Sequence, residues 1–566
     1  MRYLLAAEAD KIQDFIFRSS HLREVVGASQ LLSRFCRQGV VPLLKRHGGD
    51  VDDVLVNDGG SFRIIFEHDD GAQAKERAKL FGAELAELYR LALGGTLSVA
   101  EPVQMNGNFR DENKQASKNL RRAKEHRQRA VADPHMPYMA YCASCGVGLG
   151  KEHTLLSGEK NNASEEEGKK RYLCHVCMTK AQERWINRES MLGKFLLAVL
   201  GDERNIEGYT PIKTPEMAAE YDPRSRNYVA YLVADGNGMG KTFGKCSEEQ
   251  IKRLSDTLPQ IVRQSLATAT GDLMARLESH FDKKDGDSKI IPSLPLILGG
   301  DDVFALIPAP YALDFARCFC LAFEEGMNQV LEEKEFQGLN VPPPTMAAAV
   351  VICKSKYPYT LAHRRGEELL AEAKRMCKQL AAEQNEHRSA VNFEVILGNR
   401  LAGQGEEEER EQIVRPSLKP YWVTSEDDTL PAAALGYSID VNNLLAQRLA
   451  LKNASNKRMH ELRATFGDMP DDIGGSERDD RLVTWEKSLN RPVQRSGHKD
   501  RLWAAMQELG QAPPVGDNSH HWRQVKRKGA RPLAHGLPDL LEVWDFAQAL
   551  DKELSCYEPQ EEGEIA

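Results

Sequence analysis

The chain has 566 residues, is 41% hydrophobic and carries a formal net charge of -9 at pH 7. This length predicts roughly three or four domains, and the composition excludes global disorder. The negative net charge does not indicate a general nucleic-acid-binding surface. No run of about 18 apolar residues occurs, so we expect no membrane partner.

The first predicted unit, 1–138, begins with a strand, Tyr3–Asp10, and an amphipathic stretch that continues to about Cys36. A strand–Gly-Gly–strand element follows at 54–66, then a helix at 72–93 and a strand at 95–101. The order β-α-β-β-α-β predicts the ferredoxin-like fold that palm-type nucleotidyl transferases use.

The hairpin of this first unit carries Gly59, Gly60 and Ser61, and Glu8 ends its first strand. The turn suits a phosphate or a ribose but lacks a pair of carboxylates. We therefore expect a degenerate palm domain that binds a nucleotide without catalysing.

The second predicted unit, 139–225, holds four cysteines in two Cys-x-x-Cys pairs, Cys142 with Cys145 and Cys174 with Cys177. Each pair can present two thiolates to one tetrahedral metal, so we predict a closed structural zinc site and a helical linker. The alternative is four unrelated thiols. Eleven cysteines in a chain whose N-terminus shows no secretory signal indicate a reducing, cytoplasmic location.

The third predicted unit, 226–402, repeats the outline of the first. A strand at 229–235 ends in Asp235, and Gly299-Gly300-Asp301-Asp302 joins two apolar runs as a tight hairpin. A helix at 311–333 and a strand at 345–352 complete the pattern. A four-stranded palm places Asp235, Asp301 and Asp302 side by side, where they can hold Mg or Mn ions.

A glycine-rich loop, Asp235–Lys241, follows the first strand of this unit and includes Gly236, Asn237 and Gly238. Its backbone N–H groups, with those of Gly299 and Gly300, could approach the phosphates of ATP at the start of a helix. Lys374 or Arg375 could reach the β- and γ-phosphates. An ordinary glycine-rich turn explains the loop equally well, and a solvated basic helix face explains Lys374 and Arg375 equally well.

The last predicted unit, 403–566, follows an acidic boundary at 403–411 and is mostly helical, with apolar periodicity in 430–465, 498–509 and 537–553. Two basic stretches, 110–129 and 523–531, could contact RNA phosphates, although solvated surfaces explain them as well. The tail 558–564 has the composition of a disordered segment. The fold class is therefore α+β multidomain, with two ferredoxin-like palm domains, a four-cysteine zinc element and a C-terminal helical domain.

In this order of units, and in Asp10–Phe17, Leu22–Ser29 and the Asp235-Gly236-Asn237 loop, the chain resembles the large polymerase-like subunit of type III CRISPR–Cas effector complexes. The resemblance implies that the second palm joins ATP into cyclic oligoadenylates in antiviral defence when target RNA binds. It also implies CRISPR RNA, target RNA and effector subunits of the RAMP and small-subunit types as partners. Asp235 and Asp301 would coordinate Mg, Asp302 would assist, and Gly59, Gly60 and Ser61 would line a second ATP pocket.

Two departures from this family bear on function. The chain starts at the first palm, and its one His-Asp pair, His68-Asp69, looks like a turn, so we expect no HD nuclease. Asn237 stands where relatives often have a second Asp, and this difference keeps an oxygen ligand but removes a negative charge. A stand-alone nucleotide cyclase and an inert scaffold subunit remain alternatives.

Overall fold

The structure, a computed structural model, describes most of the chain in segments, which are residues 1–19, 21–125, 140–154, 171–183, 188–201, 206–277, 284–285, 288–397, 417–425, 428–454, 456–470, 480–496, 498–510, 523–526 and 533–550. These residues form a mixed α/β architecture around two main sheets, here called the N-terminal sheet and the central sheet. The predicted boundary at 403–411 and the predicted tail at 558–564 lie outside the described residues, as do parts of both basic stretches.

The first part of the chain alternates helices and strands, in the order β1 (Arg2–Asp10), α1 (Ile12–Phe17), α2 (Leu22–Arg46), β2 (Val54–Asp58), β3 (Ser61–Glu67), α3 (Gly71–Leu93), β4 (Thr96–Val99), β5 (Val103–Met105) and α4 (Phe109–Glu125). The N-terminal sheet has the strand order β2-β3-β1-β4, and β5 also pairs with β1. All of these pairings are antiparallel. The apolar run Leu4–Ala7 in the central strand β1 is buried throughout.

Short elements surround the four cysteines and lead to the central sheet, namely β6 (Glu152–Thr154), β7 (Arg171–Leu173), α5 (His175–Gln182), α6 (Met191–Leu200), β8 (Tyr209–Pro211) and α7 (Pro215–Ala219). This cysteine-containing segment is fastened to α2. The buried Glu24 carboxylate accepts hydrogen bonds from the hydroxyls of Ser19, at 2.6 Å, and Ser144. Gly27 lies so close to α5 that an added Cβ would stand 2.1 Å from the carbonyl oxygen of Lys180.

The central sheet and its helices comprise β9 (Tyr228–Asn237), α8 (Met239–Lys245), α9 (Glu248–Arg276), β10 (Lys284–Asp285), β11 (Ser288–Ile291), β12 (Leu294–Gly299), β13 (Asp302–Pro308), α10 (Ala312–Leu331), β14 (Thr345–Lys354), α11 (Tyr359–Gln384) and β15 (Ala390–Val395). Its strand order is β12-β13-β9-β14-β15-β16, where β16 is Tyr421–Trp422. When the strands are counted within each unit, the order β12-β13-β9-β14 corresponds to β2-β3-β1-β4, with the first strand between the third and the fourth. Both sheets therefore place a hairpin at one edge, directly beside the first strand of their unit.

The described C-terminal residues are mainly helical and add α12 (Ala432–Leu435), α13 (Val441–Ala450), α14 (Asn456–Gly467), α15 (Asp480–Gln494), α16 (Lys499–Gly510), β17 (Arg523–Gln524), β18 (Leu533–Ala534) and α17 (Leu537–Glu542). The periodicity over 537–553 is helical only as far as Glu542. Beyond it the chain docks on α10, where the Leu550 N–H donates to Asp314 Oδ2 at 2.6 Å. Across the described segments, no helix has the length and apolarity that a bilayer crossing requires.

Candidate functional site

Three aspartates converge where β9 meets the hairpin of β12 and β13. Because Ala234 pairs with Val303, the next residues along, Asp235 and Asp302, are neighbours on adjacent strands. Asp301 lies in the turn, and its carboxylate covers Gly236, where an added Cβ would stand 2.8 Å from Asp301 Oδ2. The predicted neighbourhood of the three carboxylates is therefore present in the structure.

The predicted glycine-rich loop is shorter than its sequence indicates. Residues 235–237 belong to β9 and pair with 345–347 of β14, so only Gly238 separates the strand from α8. Asp235 lies in the strand, as predicted, whereas the prediction that Gly236 and Asn237 form a loop is wrong, because the paired strand β14 extends as far as they do. The Asn237 side chain donates to Thr345 Oγ1 at 3.2 Å.

The acidic cluster is electrostatically strained. Burial raises the pKa of Asp301 to about 8, and the charges of Asp235 and Asp302 add to the effect. Asp302 is more exposed, yet desolvation in the cleft and the charge of Asp235 raise its pKa to about 7. Groups that bind a proton so readily gain most from a bound cation.

A cation from α11 already lies on the cluster. Lys374 Nζ forms an ion pair with Asp235 Oδ2, with side chains 33% and 27% exposed. Of the two basic residues considered from the sequence, the structure therefore directs Lys374 to the acidic cluster, whereas Arg375 is exposed.

Two further residues of α11 face the cluster and escaped the sequence reasoning. Burial raises the pKa of Glu367, and the charge of Asp235 raises it further. His363 is buried, contacts Phe17 and Phe304 with ring centroids 4.1 and 4.7 Å apart, and has a pKa lowered by burial to about 4. The spacing of 363, 367 and 374 along one helix face was the available signal.

The hairpin turns of the two sheets touch each other. An added Cβ on Gly59 would lie 3.6 Å from the carbonyl carbon of Gly299. Gly60 instead packs on β1, where its carbonyl accepts from the Ala9 N–H at 2.8 Å. Ser61 pairs with Glu8. The structure thus brings Gly59 to the second hairpin and keeps Gly60 and Ser61 within the N-terminal sheet.

The N-terminal sheet carries a counterpart of the Asp235–Lys374 pair. Glu8 sits on the first strand opposite Ser61, as Asp235 sits beside Asp302. Its carboxylate pairs with Lys124 of α4 at 2.8 Å. The first site therefore keeps one carboxylate and one lysine and has Gly60 and Ser61 where the second has Asp301 and Asp302.

The space at the hairpin contact is small. A cavity of about 90 Å³ between the sheets is lined by residues that include Gly59, Gly299, Asp302 and Glu367. Typical ligand sites measure about 300–1,000 Å³, so this cavity holds only part of a nucleotide. Added Cβ atoms at Gly238, Gly240 or Gly300 would meet nothing within 4 Å, which leaves room beside the turns.

The donor set at the acidic cluster fits a hard divalent cation. Asp235, Asp301 and Asp302 offer carboxylate oxygens, the ligands that Mg and Mn prefer. Among the described residues, however, only the four cysteines gather three or more candidate ligand atoms within 4.8 Å of one another. The carboxylates therefore have the right chemistry but do not form a closed ligand shell in this structure, where Asp235 pairs with Lys374.

The four cysteines lie together in one compact group that could hold a metal ion, as predicted. The sulfur atoms of Cys142, Cys145, Cys174 and Cys177 lie within 4.8 Å of one another. Hydrogen bonds from Cys174 and Cys177 lower the pKa of Cys145, and the Gly148 N–H donates to its sulfur at 3.4 Å. A set of four thiolates is compatible with a closed tetrahedral zinc site.

A larger cleft separates the cysteine group from the N-terminal sheet. It has a volume of about 840 Å³. Its lining contains one carboxylate, Asp10, and six basic side chains, which are Lys11, Arg18, Lys124, Lys151, His175 and Lys180. Lys180 is buried and donates to the Phe15 carbonyl, so the exposed cations are the ones available to an anionic ligand.

Residues 228–382 match the family model described as Cas10/Cmr2, second palm domain. The match starts at the first residue of β9 and includes all three aspartates and Lys374. Over this segment it confirms the resemblance predicted from the sequence. None of the curated proteins compared with the chain matches it.

Several solved structures are similar to the chain. The apo Csm1-Csm4 cassette is 15% identical, with 88% of this chain and 65% of that chain covered and a TM-score of 0.46. The Csm1-Csm4 cassette in complex with cA3 is 15% identical, with 72% and 55% covered and a TM-score of 0.40. Csm1 in T. onnurineus is 14% identical, with 96% and 69% covered and a TM-score of 0.46. The chain thus spans 55% and 65% of the length of the two cassette chains.

Proposed function

We propose that this chain, whose residues 228–382 match the second palm domain of Cas10/Cmr2, is the large subunit of a type III CRISPR effector complex. In this proposal it joins ATP into cyclic oligoadenylates, as an antiviral signal, when target RNA is bound. The observation that carries the proposal is the convergence of Asp235, Asp301 and Asp302 within the matched segment.

The reaction is a nucleotidyl transfer. The 3′-oxygen of one nucleotide bonds to the α-phosphorus of the next, the bond to the β-phosphate breaks, pyrophosphate leaves and the hydroxyl proton passes to water. Asp235, Asp301 and Asp302 would hold Mg or Mn, which when bound lowers the pKa of the 3′-hydroxyl and neutralises charge at the α-phosphate. Asp301 has to lose the proton that its raised pKa favours, and Lys374 becomes free to contact phosphates.

The two touching hairpins suit a reaction between two nucleotides. In this proposal one ATP lies over Gly236, Asn237, Gly238, Gly299 and Gly300, and the other lies against Gly59, Gly60 and Ser61. Support comes from the contact of Gly59 with Gly299 and from the free space beside Gly238 and Gly300. The retained Glu8–Lys124 pair is consistent with binding without catalysis at the N-terminal sheet.

The proposed partners are CRISPR RNA, target RNA and other effector subunits. Within the described residues, the basic cleft beside the cysteine group is the surface best suited to RNA phosphates, because its exposed cations outnumber its carboxylate. A zinc ion on the four cysteines would have a structural role, since four thiolates leave no open position for catalysis.

The test is the reaction of the assembled complex with ATP, Mg and target RNA, with products identified by mass spectrometry. Wild type should form cyclic oligoadenylates, and Asp301→Ala/Asp302→Ala should lose at least about 10²-fold in rate. Asp69→Ala, which removes an exposed aspartate from the loop between β3 and α3, is the control and should behave as wild type.

Three results would contradict the proposal. Equal product from wild type and the double variant would place the chemistry elsewhere. Equal activity of the isolated chain with and without RNA would favour a stand-alone nucleotide cyclase. No product under any condition, with RNA bound normally, would favour an inert scaffold.

A further inference from the structure

We propose that Asp58 of the N-terminal sheet is a positioning residue for the Gly-Gly-Asp-Asp turn of the central sheet, acting through the Gly300 N–H that its carboxylate binds. The role in catalysis rests on the function proposed above. The role in ordering the turn does not, and it can be measured separately.

The contact is direct and crosses between the two sheets. The Gly300 N–H donates to Asp58 Oδ2 at 3.0 Å, which joins residues 242 positions apart in the chain. The neighbouring turns also meet, because an added Cβ on Gly299 would lie 3.6 Å from Gly59 Cα. The backbone of one hairpin therefore lies against the backbone of the other, with one carboxylate bridging them.

The turn needs an external partner to define its position. Gly299 pairs with Asp302, so Gly300 and Asp301 are the two turn residues, and Gly300 has a φ of +60°. Glycine has the largest conformational freedom of any residue. A charge-assisted hydrogen bond to the amide immediately before Asp301 restricts that freedom at the residue that precedes the metal-binding pair.

The position of Asp58 in its own hairpin makes it a support for the other turn and not a metal ligand. Asp58 pairs with Ser61 as Gly299 pairs with Asp302, so the carboxylate stands on the opposite arm from Asp302. From there the Asp58 carboxylate reaches the turn of the central sheet that contains Gly300, and it does not enter the space between its own strands. Burial raises its pKa, while the N–H groups of Gly300 and Gly59 and the charges of Arg263 and Arg37 favour the ionised form.

Amide hydrogen exchange of the full chain without ATP tests the ordering role. Asp58→Ala and Asp58→Ser remove the acceptor, and exchange in a peptide that contains Gly300 and Asp301 should become roughly 10-fold faster. Asp58→Asn keeps a side-chain oxygen and should restore protection. Asp69→Ala removes an exposed aspartate from the loop between β3 and α3 and serves as the control. If Asp58→Ala does not fold, the exchange rates of Asp58→Ser and Asp58→Asn are compared instead, and the rate should be higher in Asp58→Ser.

Binding of Mn²⁺ alone, followed by electron paramagnetic resonance, tests the consequence for the metal ligands. We expect the Mn²⁺ affinity of Asp58→Ala to fall by about 10-fold, as for other residues that orient ligands without touching the metal, and Asp58→Asn to recover most of it. Exchange and Mn²⁺ affinity unchanged in the truncated variants would overturn the inference. If wild type forms no oligoadenylate but amide exchange is altered in Asp58→Ala, only the proposed function is overturned.

Discussion

Lys374 is the residue on which the state of the acidic cluster depends most directly. It pairs with Asp235 and stands among carboxylates whose pKa values are raised by burial and by one another. Its removal leaves the cluster with more negative charge and removes a candidate contact to the phosphates. The lysine thus neutralises part of the charge of the cluster in this structure, and in the proposed function it contacts the phosphates of the nucleotide.

We expect Lys374→Met to lower kcat/KM for ATP by about 10²-fold, because a cation aimed at developing charge is lost from a partly desolvated cleft. Arg375→Met is the matched control, since Arg375 is exposed and lies about 100° around α11 from Lys374. Initial rates of oligoadenylate formation measure the effect. Equal losses in both variants would show that Lys374 has no special role.

His363 should make stability depend on pH. Its pKa, about 4 in the fold against 6.5 in the unfolded chain, is lowered by burial, so the unfolded state binds more protons between these values. The contribution of neutral His363 to the free energy of unfolding is therefore fully present above pH 6.5 and is lost as the pH drops towards 4. At pH 5 the loss is about 2 kcal/mol. His363→Phe should remove this part of the pH dependence and fit beside Phe17 and Phe304. Thermal unfolding at pH 7.5 and pH 5 gives the comparison, and identical shifts in both proteins would contradict it.

At the scale of elements, the strand order of both sheets follows from what the sequence shows. Alternating apolar runs, glycine turns and helical stretches predicted β-α-β-β-α-β twice. The strands of both sheets follow this order, with two helices after each first strand and with β10 and β11 inserted before the second hairpin. The neighbourhood of Asp235 and Asp302 followed from it. The extent of β9 did not, because β14 supplies partners for Gly236 and Asn237. Asp58 also escaped prediction, since it meets the site across the contact between the two sheets, which no local pattern specifies. Glu367 was missed as well, although its spacing from Lys374 on one face of α11 was an available signal.

The packing of α2 on α5 gives a prediction for one helix. Gly27→Ala would drive a Cβ to 2.1 Å from a backbone carbonyl of α5, so the cysteine-containing segment has to move. We expect a loss of about 1–3 kcal/mol in stability. Gly39→Ala in the same helix meets only the Phe35 ring at 3.4 Å and should be neutral or gain up to about 1 kcal/mol. Thermal unfolding of the two variants checks the difference, and a neutral Gly27→Ala would contradict the close packing.

At the scale of the whole molecule, the negative net charge conceals a local basic surface. The chain carries -9 in total, yet the cleft beside the cysteine group is lined by six basic side chains and one carboxylate. Lys124 pairs with Glu8 and Lys180 is buried. Lys11, Arg18 and Lys151 are exposed and can meet phosphates.

Reversing two of these charges should weaken RNA binding. For Lys11→Glu/Lys151→Glu we expect lower affinity of the effector complex for single-stranded RNA and a salt dependence reduced by roughly 1.4 in slope, from about 0.7 for each lost phosphate contact. Lys356→Glu/Lys487→Glu makes the same change of charge at exposed positions outside this cleft. Fluorescence anisotropy at several salt concentrations measures both. The same slope in the two variants would show that only total charge matters.

The repetition of one strand order within a single chain has a consequence for how the two hairpins can change. In an assembly of two identical subunits, every substitution appears in both copies, so a carboxylate lost from one turn is lost from the other. Covalent fusion removes that constraint. Gly59-Gly60-Ser61 and Gly300-Asp301-Asp302 now differ, and Asp58 stands where the other hairpin has Gly299. Because one chain encodes the two hairpins separately, one turn can support the other, an asymmetry that a symmetric dimer cannot have.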